Sequence, residues 1–232
     1  LGRGWHVRAL ARSRDKARRV LPKDALSNGR LSIVEGDALG EGVAEKFVAG
    51  CDACVNLIGI IRETSGRQTF ERAHTKTTRA LVRAFESEGV SRFVQMSALG
   101  VSDEGATEYE RTKWSAERAV RASSLKWTVF RPGLIHGPQG EFMRQAKSWC
   151  EGRELPHLFI PTLTRLDPEW SPPRPPRFED PVVSPVRVED VAFAFSEALD
   201  RESAVFEVYD LVGPERITMR DMLSELRDAL PL

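Results

Sequence analysis

Short apolar runs alternate with segments of helical periodicity along most of the chain, and this alternation constrains the fold more than any other feature. The runs are rich in β-branched and aromatic residues, as strands are. Strands are predicted at 6–11, 31–35, 53–58, 92–96, 127–131 and 205–212, and helices at 15–21, 41–48, 70–88, 109–122, 186–199 and 218–230. This order predicts an α/β fold, a doubly wound parallel sheet with helices on both faces and right-handed crossovers.

The charge balance excludes some classes of function. Lys and Arg total 34, as do Asp and Glu, so the chain has none of the basic excess expected of a nucleic-acid-binding protein. The longest apolar stretch, around 55–61, is far too short to span a bilayer, and no transmembrane segment is expected.

The cysteines indicate a reducing environment. Three cysteines do not form a disulfide framework, so a cytoplasmic location is expected. Cys51 and Cys54 form a C-x-x-C, but they open the predicted strand at 53–58 and do not start a helix that would lower a thiol pKa. They are interpreted as small packing residues rather than as a redox pair.

Candidate acid–base chemistry lies on the predicted helix 109–122. Tyr109 and Lys113 are four residues apart, so both side chains project from one face. A lysine beside a phenol would lower its pKa and make it a usable acid or base. Ser97 ends the preceding strand, at the edge where open α/β sheets bind ligands, and its hydroxyl could hold a substrate oxygen.

The remaining polar candidates are interpreted as structural. The four histidines are scattered, and neither His74 nor His136 has a partner at metal-ligand spacing, so no metal site is expected. Glu189 and Asp190 are expected to start a helix, where acidic side chains complement the dipole.

Taken together, these motifs resemble the extended or atypical short-chain dehydrogenase/reductases. The matching segments are N-L-I-G at 56–59, M-S-A-L-G at 96–100, Y-x-R-T-K-x-x-x-E at 109–117, T-V-F-R-P-G-L-I-H-G-P at 128–138 and V-x-V-x-D-V-A at 186–192. Within that superfamily the chain most resembles the branch that contains the nucleotide-binding accessory subunit of respiratory complex I. The resemblance runs from Trp5 to about Leu226, apart from a proline-rich stretch at 155–185.

The resemblance implies a Rossmann-type core at 1–150 that binds NAD(P), and a small C-terminal lid and substrate region at 151–232 packed on it. It implies that Ser97, Tyr109 and Lys113 are catalytic and that Lys113 also holds the nicotinamide ribose. The implied cofactor residues are Asp37 and Ala38 at the adenine, Leu57, Ile58 and Gly59 along the strand end, and Pro132, Gly133 and Leu134 beside the nicotinamide. The family's first strand and G-x-x-G-x-x-G loop have no match here, so the chain is expected to be truncated at its N-terminus.

The end of the first predicted strand bears on the choice of cofactor. Arg12, Ser13 and Arg14 follow this strand, with no acidic residue before Asp15. NAD-selective sites place an acid here, whereas an arginine accommodates a 2′-phosphate, so NADP(H) is favoured and NAD(H) is the alternative. Arg12 and Ser13 are therefore candidate cofactor residues. The competing interpretation is a turn with two solvated arginines.

Two roles remain open from the sequence. The first is an NADP-dependent reductase, dehydrogenase or epimerase that acts on a small molecule. The second is a non-catalytic accessory or sensor subunit that holds NADPH within a larger protein assembly, as the complex I branch implies, with a location peripheral to a membrane complex. The proline-rich stretch at 155–185 would be a substrate cover in the first role and a docking surface in the second.

Overall fold

A computed structural model describes residues 2–64, 66, 68–153, 165–166, 170–173, 175–176 and 178–229. The chain packs as two compact units: Leu1–Phe130 with Glu197–Tyr209, and Arg131–Ser196 with Asp210–Leu232. The sequence placed the boundary after residue 150. The two compact units instead divide between residues 130 and 131, within a strand, and residues 197–209 belong to the first unit although they come late in the chain.

Parallel strands form the framework of the first unit. Its strands are β1 (Val7–Ala11), β2 (Leu31–Glu35), β3 (Ala53–Asn56), β4 (Arg92–Met96), β5 (Lys126–Pro132), which runs on into the second unit, and β11 (Glu207–Leu211), which does the same. β1 pairs with β2, β3 with β4, and β4 with β5, all in parallel. The larger sheet has the order β11-β5-β4-β3. This confirms the predicted α/β fold with a parallel sheet.

β3 ends two residues earlier than predicted, because the Asn56 side chain starts a turn. Its Oδ1 accepts a hydrogen bond from the Ile58 N–H, and its Nδ2 donates to Gln95 Oε1 at 2.9 Å. An asparagine that bonds to the backbone two residues on competes with strand continuation. The N-L-I-G segment is therefore a turn at the carboxyl edge of the sheet, rather than the last part of a strand.

Helices follow the strands of the first unit nearly as predicted. They are α1 (Arg14–Val20), α2 (Lys23–Ser27), α3 (Val43–Val48), α4 (Thr77–Ser87) and α5 (Glu108–Arg121). The α5 helix starts with a capping box, in which Thr107 Oγ1 accepts from the Glu110 N–H and the Glu110 carboxylate accepts from the Thr107 N–H. α2 was not predicted. α3 starts at residue 43 rather than 41, after Gly42 in a left-handed conformation.

The predicted helix at 70–88 is not a uniform α-helix. Residues Glu71–Lys76 form a π-helix that runs directly into α4. Helical periodicity alone does not reveal such a stretch, because the apolar spacing of α4 extends through it. π-Helical turns are rare and occur frequently at functional sites.

In its described residues, the second unit contains short strands and three helices. They are β6 (Ile135–His136), α6 (Glu141–Cys150), β7 (Arg165–Leu166), β8 (Phe178–Glu179), β9 (Val182–Val183), β10 (Val186–Arg187), α7 (Val188–Asp200), which ends in the first unit, β12 (Ile217–Thr218) and α8 (Met219–Ala229). The helix predicted from residue 186 starts two residues later, since β10 pairs with β6. Thr218 caps α8, accepting from the Asp221 N–H at 3.0 Å.

Much of the proline-rich stretch at 155–185 lies outside the described residues, so its predicted role as a lid remains a prediction. The parts that are described include two antiparallel pairs, β7 with β8 and β9 with β12. Within the described part of the chain, no helix has the length and apolar character needed to cross a bilayer.

Aromatic and aliphatic side chains from β3–β5 and the helices around them form the core of the first unit. Phe93, the second residue of β4, is fully buried and contacts Phe85 of α4 edge to face, with ring centroids 5.8 Å apart. Val48 and Val129, from α3 and β5, are also fully buried in this cluster.

We expect Phe93→Ala to lower the free energy of unfolding by about 3–5 kcal/mol, because it removes a large buried side chain and leaves a cavity. Phe193→Ala is the matched control, since Phe193 is 64% exposed. It should change stability by less than about 0.5 kcal/mol. Urea denaturation followed by circular dichroism measures both. Equal losses in the two variants would contradict this description of the core.

Candidate functional site

A cavity of about 260 Å³ opens in the first unit at the carboxyl ends of β1, β2 and β3. The residues that line it are Leu10, Arg12, Gly36, Asp37, Ala38, Leu57, Ile58, Gly59, Ile60, Gln68, Arg72, Ala73 and Thr77. It thus brings together six of the residues expected at the cofactor: Arg12, Asp37, Ala38, Leu57, Ile58 and Gly59. This is the edge at which open parallel sheets bind ligands.

Ser13 has a different place from that expected. Its hydroxyl accepts a hydrogen bond from the Lys16 N–H at 3.3 Å and caps the N-terminus of α1. It is not among the residues that line the cavity.

An ion pair lies in the cavity wall. Asp37 Oδ2 is 2.9 Å from an Arg72 guanidinium nitrogen, and Asp37 Oδ1 accepts from the Leu39 N–H at 2.9 Å. Burial raises the pKa of Asp37, but the Leu39 N–H, the Arg72 hydrogen bond and the charges of Arg72 and Arg12 outweigh it, so the pKa lies below its ordinary value. Asp37 is therefore ionised at neutral pH.

Arg12 is held by Gln68, a residue that the sequence did not single out. With the amide oriented to satisfy both of its ends, the Gln68 oxygen accepts from Arg12 Nη1 and Nη2 at 2.8 and 3.0 Å, and its nitrogen donates to Thr64 Oγ1. Arg14, the other candidate arginine, is engaged elsewhere, because its side chain donates to Ile33 O. Arg12 is thus the arginine of this turn that faces the cavity.

Lys113 reaches toward the cavity from α5. Its Nζ donates to Met96 O at 3.3 Å, and a Cβ at Gly59 would lie 3.0 Å from that Nζ. A side chain at position 59 would crowd the amine against this wall. Burial of the amine lowers the Lys113 pKa to about 8.

These residues fit one end of a dinucleotide. Whole ligands usually occupy cavities of about 300–1,000 Å³, so the described space suits a part such as the nucleoside half. Arg12 supplies a cation, Asp37 supplies an acceptor, and Gly59 permits close approach of a ligand to the backbone. The chemistry of this wall matches the cofactor that the sequence implies.

Tyr109 is not among the residues that line the cavity, and it lies in an aromatic cluster. Its ring packs edge-on against His74 and Phe70, with centroids 5.3 and 5.7 Å away. Burial raises the Tyr109 pKa, and the negative charge of Glu110 raises it further. The expectation that Lys113 lowers this pKa is wrong for the structure described, because desolvation of the phenolate dominates.

His74 is fully buried in the π-helix, where both of its ring nitrogens have partners. Nδ1 lies 2.9 Å from Thr112 Oγ1 of α5, and Nε2 lies 3.1 Å from Ile60 N and 3.0 Å from Ile60 O. Burial, with the positive charge of Lys113, lowers the His74 pKa to about 4. The imidazole is therefore neutral and bonded at neutral pH, which fits the structural role predicted for it.

Ser97 is turned toward the core. It is 3% exposed, and its hydroxyl donates to Glu117 Oε2 at 3.0 Å. Glu117 is fully buried in α5 and also accepts from Arg121 Nη1 at 3.4 Å. A substrate oxygen would have to compete with this carboxylate for the Ser97 hydroxyl. The structure brings Tyr109 and Lys113 to one helix, but it gives Ser97 a different partner.

The segment expected beside the nicotinamide belongs to the second unit. Pro132 ends β5, the Gly133 N–H donates to Leu211 O at 2.9 Å, and Leu134 O accepts from the Val186 N–H at 2.9 Å. These backbone bonds hold the segment against its own unit. Its role at the cofactor remains a prediction.

The cysteine pair is structural in this fold. Cys54 is buried in β3, and burial together with nearby Cys51 raises its pKa. Such a thiol carries little thiolate at neutral pH. Among the residues that the structure describes, no group of three or more His, Cys, Asp or Glu side chains is placed to hold a metal ion.

Comparison with known proteins also assigns the chain to a nucleotide-binding family. Residues 1–148 match the family model described as NAD(P)H-binding. The chain is 26% identical over 188 residues to the mitochondrial NADH dehydrogenase (ubiquinone) 1 alpha subcomplex subunit 9 of Mus musculus, covering 81% of this chain and 45% of that protein. It is 26% identical over 136 residues to the ceramide reductase of Caulobacter vibrioides, covering 57% of this chain and 42% of that protein. The chain thus spans about half the length of these curated relatives.

A solved structure supports the fold. The dTDP-glucose 4,6-dehydratase DesIV of Streptomyces venezuelae, a double mutant with NAD bound, superimposes with a TM-score of 0.72 at 19% sequence identity. The match covers 96% of this chain and 71% of that one. At this identity the similarity establishes the architecture alone.

The low pKa of Lys113 predicts a specific pH dependence of stability. Between about pH 8 and its ordinary value of 10.5, the unfolded chain binds a proton at this amine that the folded chain does not. The contribution of Lys113 to the free energy of unfolding should therefore rise with pH across this window, by up to about 3 kcal/mol, while Cys54 and Tyr109, whose pKa values are raised, contribute in the opposite direction. Lys113→Met should remove the Lys113 contribution and so shift the pH dependence downward relative to wild type, whereas Lys46→Met, at an exposed position, should leave it unchanged. Urea denaturation at several pH values measures the difference; parallel curves for wild type and Lys113→Met would show that the amine is solvated.

Proposed function

Since the chain belongs to the NAD(P)H-binding family and has the fold of the extended short-chain dehydrogenase/reductases, we propose that it binds NADP(H) and reduces a carbonyl group of a small molecule. One observation carries the proposal: a single cavity wall joins Arg12 with Asp37 and with Gly59, against which the Lys113 amine lies.

The choice of NADP(H) rests on Arg12. A 2′-phosphate is a dianion, and an arginine at the end of the strand in this position, here β1, accommodates it. Asp37 is the acidic residue among those that line the cavity, and its charge is offset by Arg72. A site for NAD(H) would instead be expected to offer an unpaired carboxylate to the ribose hydroxyls.

The chemistry rests on Tyr109 and Lys113. NADPH supplies a hydride when it is bound. The carbonyl oxygen that gains charge must then receive a proton, and Tyr109 would donate it. Its raised pKa keeps the phenol protonated at neutral pH, which suits proton donation in a reduction better than proton removal in an oxidation. Lys113, mostly charged below about pH 8, would hold the nicotinamide ribose, as the family implies.

A second candidate function is an accessory role, in which NADPH is held without turnover in a larger protein assembly at a membrane. The hydrogen bond from Ser97 to the buried Glu117 favours this role, because it withdraws a candidate substrate-binding hydroxyl. The similarity to a respiratory complex I subunit also favours it.

We expect the full chain to bind NADPH more tightly than NADH, measured by energy transfer from its tryptophans to the reduced nicotinamide. Arg12→Gln should weaken NADPH binding by about tenfold and leave NADH binding nearly unchanged, because it removes a charge-assisted bond to the 2′-phosphate alone. Arg18→Gln, at an exposed position of α1, is the control. If a folded wild-type protein binds neither nucleotide, the cofactor assignment is wrong.

Tyr109→Phe separates the two candidate roles. NADPH oxidation by the wild type with a panel of aldehydes and ketones should fall by about 10²-fold or more in the variant, since the proton donor is lost. NADPH binding should stay within twofold of wild type, which shows that the cavity is intact. Turnover that is absent in both proteins, with binding retained, would favour the accessory role over the reductase.

A further inference from the structure

The π-helix places a second arginine in the cavity wall. Arg72 is the second residue of this helix, and its side chain pairs with Asp37, which follows β2. More than a third of each of the two side chains is exposed, so the pair faces open space rather than the core. Arg12 enters the same cavity from the end of β1, near enough for its charge to act on Asp37.

We propose that Arg72 is a second specificity-determining residue for the ribose 2′-phosphate, and that Asp37 and Gln68 are the positioning residues that hold Arg72 and Arg12 in place. This inference rests on the proposed function, because it concerns the same cofactor. It adds that preference for NADP(H) is shared by two arginines from distant parts of the chain.

Arg72 can serve Asp37 and a phosphate together. A guanidinium carries five N–H donors in a planar fork, and Asp37 engages one of its nitrogens, Nη2. The remaining donors can bind phosphate oxygens, which take charge-assisted bonds of this kind. Asp37 fixes the long side chain beforehand, so less conformational entropy is lost when the phosphate binds.

Gln68 performs the matching task for Arg12. Its oxygen accepts from both terminal nitrogens of Arg12, leaving that guanidinium with its other donors free to face a ligand. Gln68 and Arg72 are four residues apart where the chain enters the π-helix. One segment therefore supplies Gln68, which holds Arg12, and Arg72 itself, which Asp37 holds.

The local charge favours a dianion. Arg12 and Arg72 contribute two positive charges and Asp37 one negative charge, and no other ionisable side chain is among those that line the cavity. A carboxylate alone beside a 2′-phosphate would repel it, so neutralisation by Arg72 is needed in any case. A purely structural ion pair would have no such effect on nucleotide choice.

The test compares 2′,5′-ADP with 5′-AMP, two probes that differ only by the 2′-phosphate. Isothermal titration calorimetry on the full chain should show about tenfold or greater preference of the wild type for 2′,5′-ADP. Arg72→Gln should weaken 2′,5′-ADP binding by about tenfold and 5′-AMP binding by less than twofold, and Arg72→Lys should be intermediate. Arg79→Gln, on α4 and outside the cavity, should match the wild type.

The outcomes separate the two proposals. If the wild type prefers 2′,5′-ADP and Arg72→Gln keeps that preference, the inference about Arg72 is overturned while NADP(H) binding stands. Equal weakening of both probes in Arg72→Gln also overturns it, since Arg72 would then act on the base or on the fold. If the wild type binds neither these probes nor NADPH, both proposals fail. Thermal melting of each variant checks that it folds.

Discussion

The imidazole of His74 is buried and bonded on both sides, so it fixes the relative positions of three parts of the site. With the Thr112 hydroxyl proton assigned to the Glu108 carbonyl, at 2.8 Å, its oxygen accepts from Nδ1–H of His74, and Nε2 accepts from the Ile60 N–H. In the other tautomer, Nε2–H donates to Ile60 O, 3.0 Å away. One neutral ring thus joins α5 to the turn that lines the cavity, while its face packs on Phe70 and its edge on Tyr109.

Burial then determines the charges around this ring. It lowers the pKa of Lys113 and of His74, and it raises the pKa of Tyr109. In each case the neutral form is favoured, because a charge loses its hydration here. At neutral pH the site holds a protonated phenol and a neutral imidazole, with one buried cation that is easily deprotonated. A bound anionic cofactor would add the negative charge that this arrangement lacks.

The sequence was sufficient for the order of the strands and helices of the first unit, apart from α2, but not for α6 or the short strands of the second unit. Arg12 was identified from its place at the end of a strand, and Asp37 and Gly59 from the resemblance to the family. All three line one cavity because the carboxyl ends of parallel strands meet at one edge, wherever they lie along the chain. Gln68 and Arg72 were missed because their partners, Arg12 and Asp37, are far away in sequence. Polar residues at the start of a helix are usually solvated, and no feature of the neighbouring sequence distinguishes Gln68 and Arg72 from such residues.

Ser97 shows a different limit of sequence reasoning. Its place at the end of β4 was correct, but the direction of its hydroxyl depends on Glu117, which lies twenty residues later and is fully buried. A buried carboxylate must find donors, and a nearby hydroxyl supplies one. The sequence motif therefore predicts the position of Ser97 but not the direction of its hydroxyl.

The π-helical turn has a consequence for how related chains can diverge in length. A π-helix closes each hydrogen-bonded ring over one more residue than an α-helix does. Loss of a single residue at 75 or 76 would restore regular α-helical winding without disturbing the buried face of α4. Everything before the deletion would turn by about 100° about the axis. Arg72 would leave the cavity wall and His74 would lose its bonds to Thr112 and Ile60, so one deletion could erase the site and keep the fold.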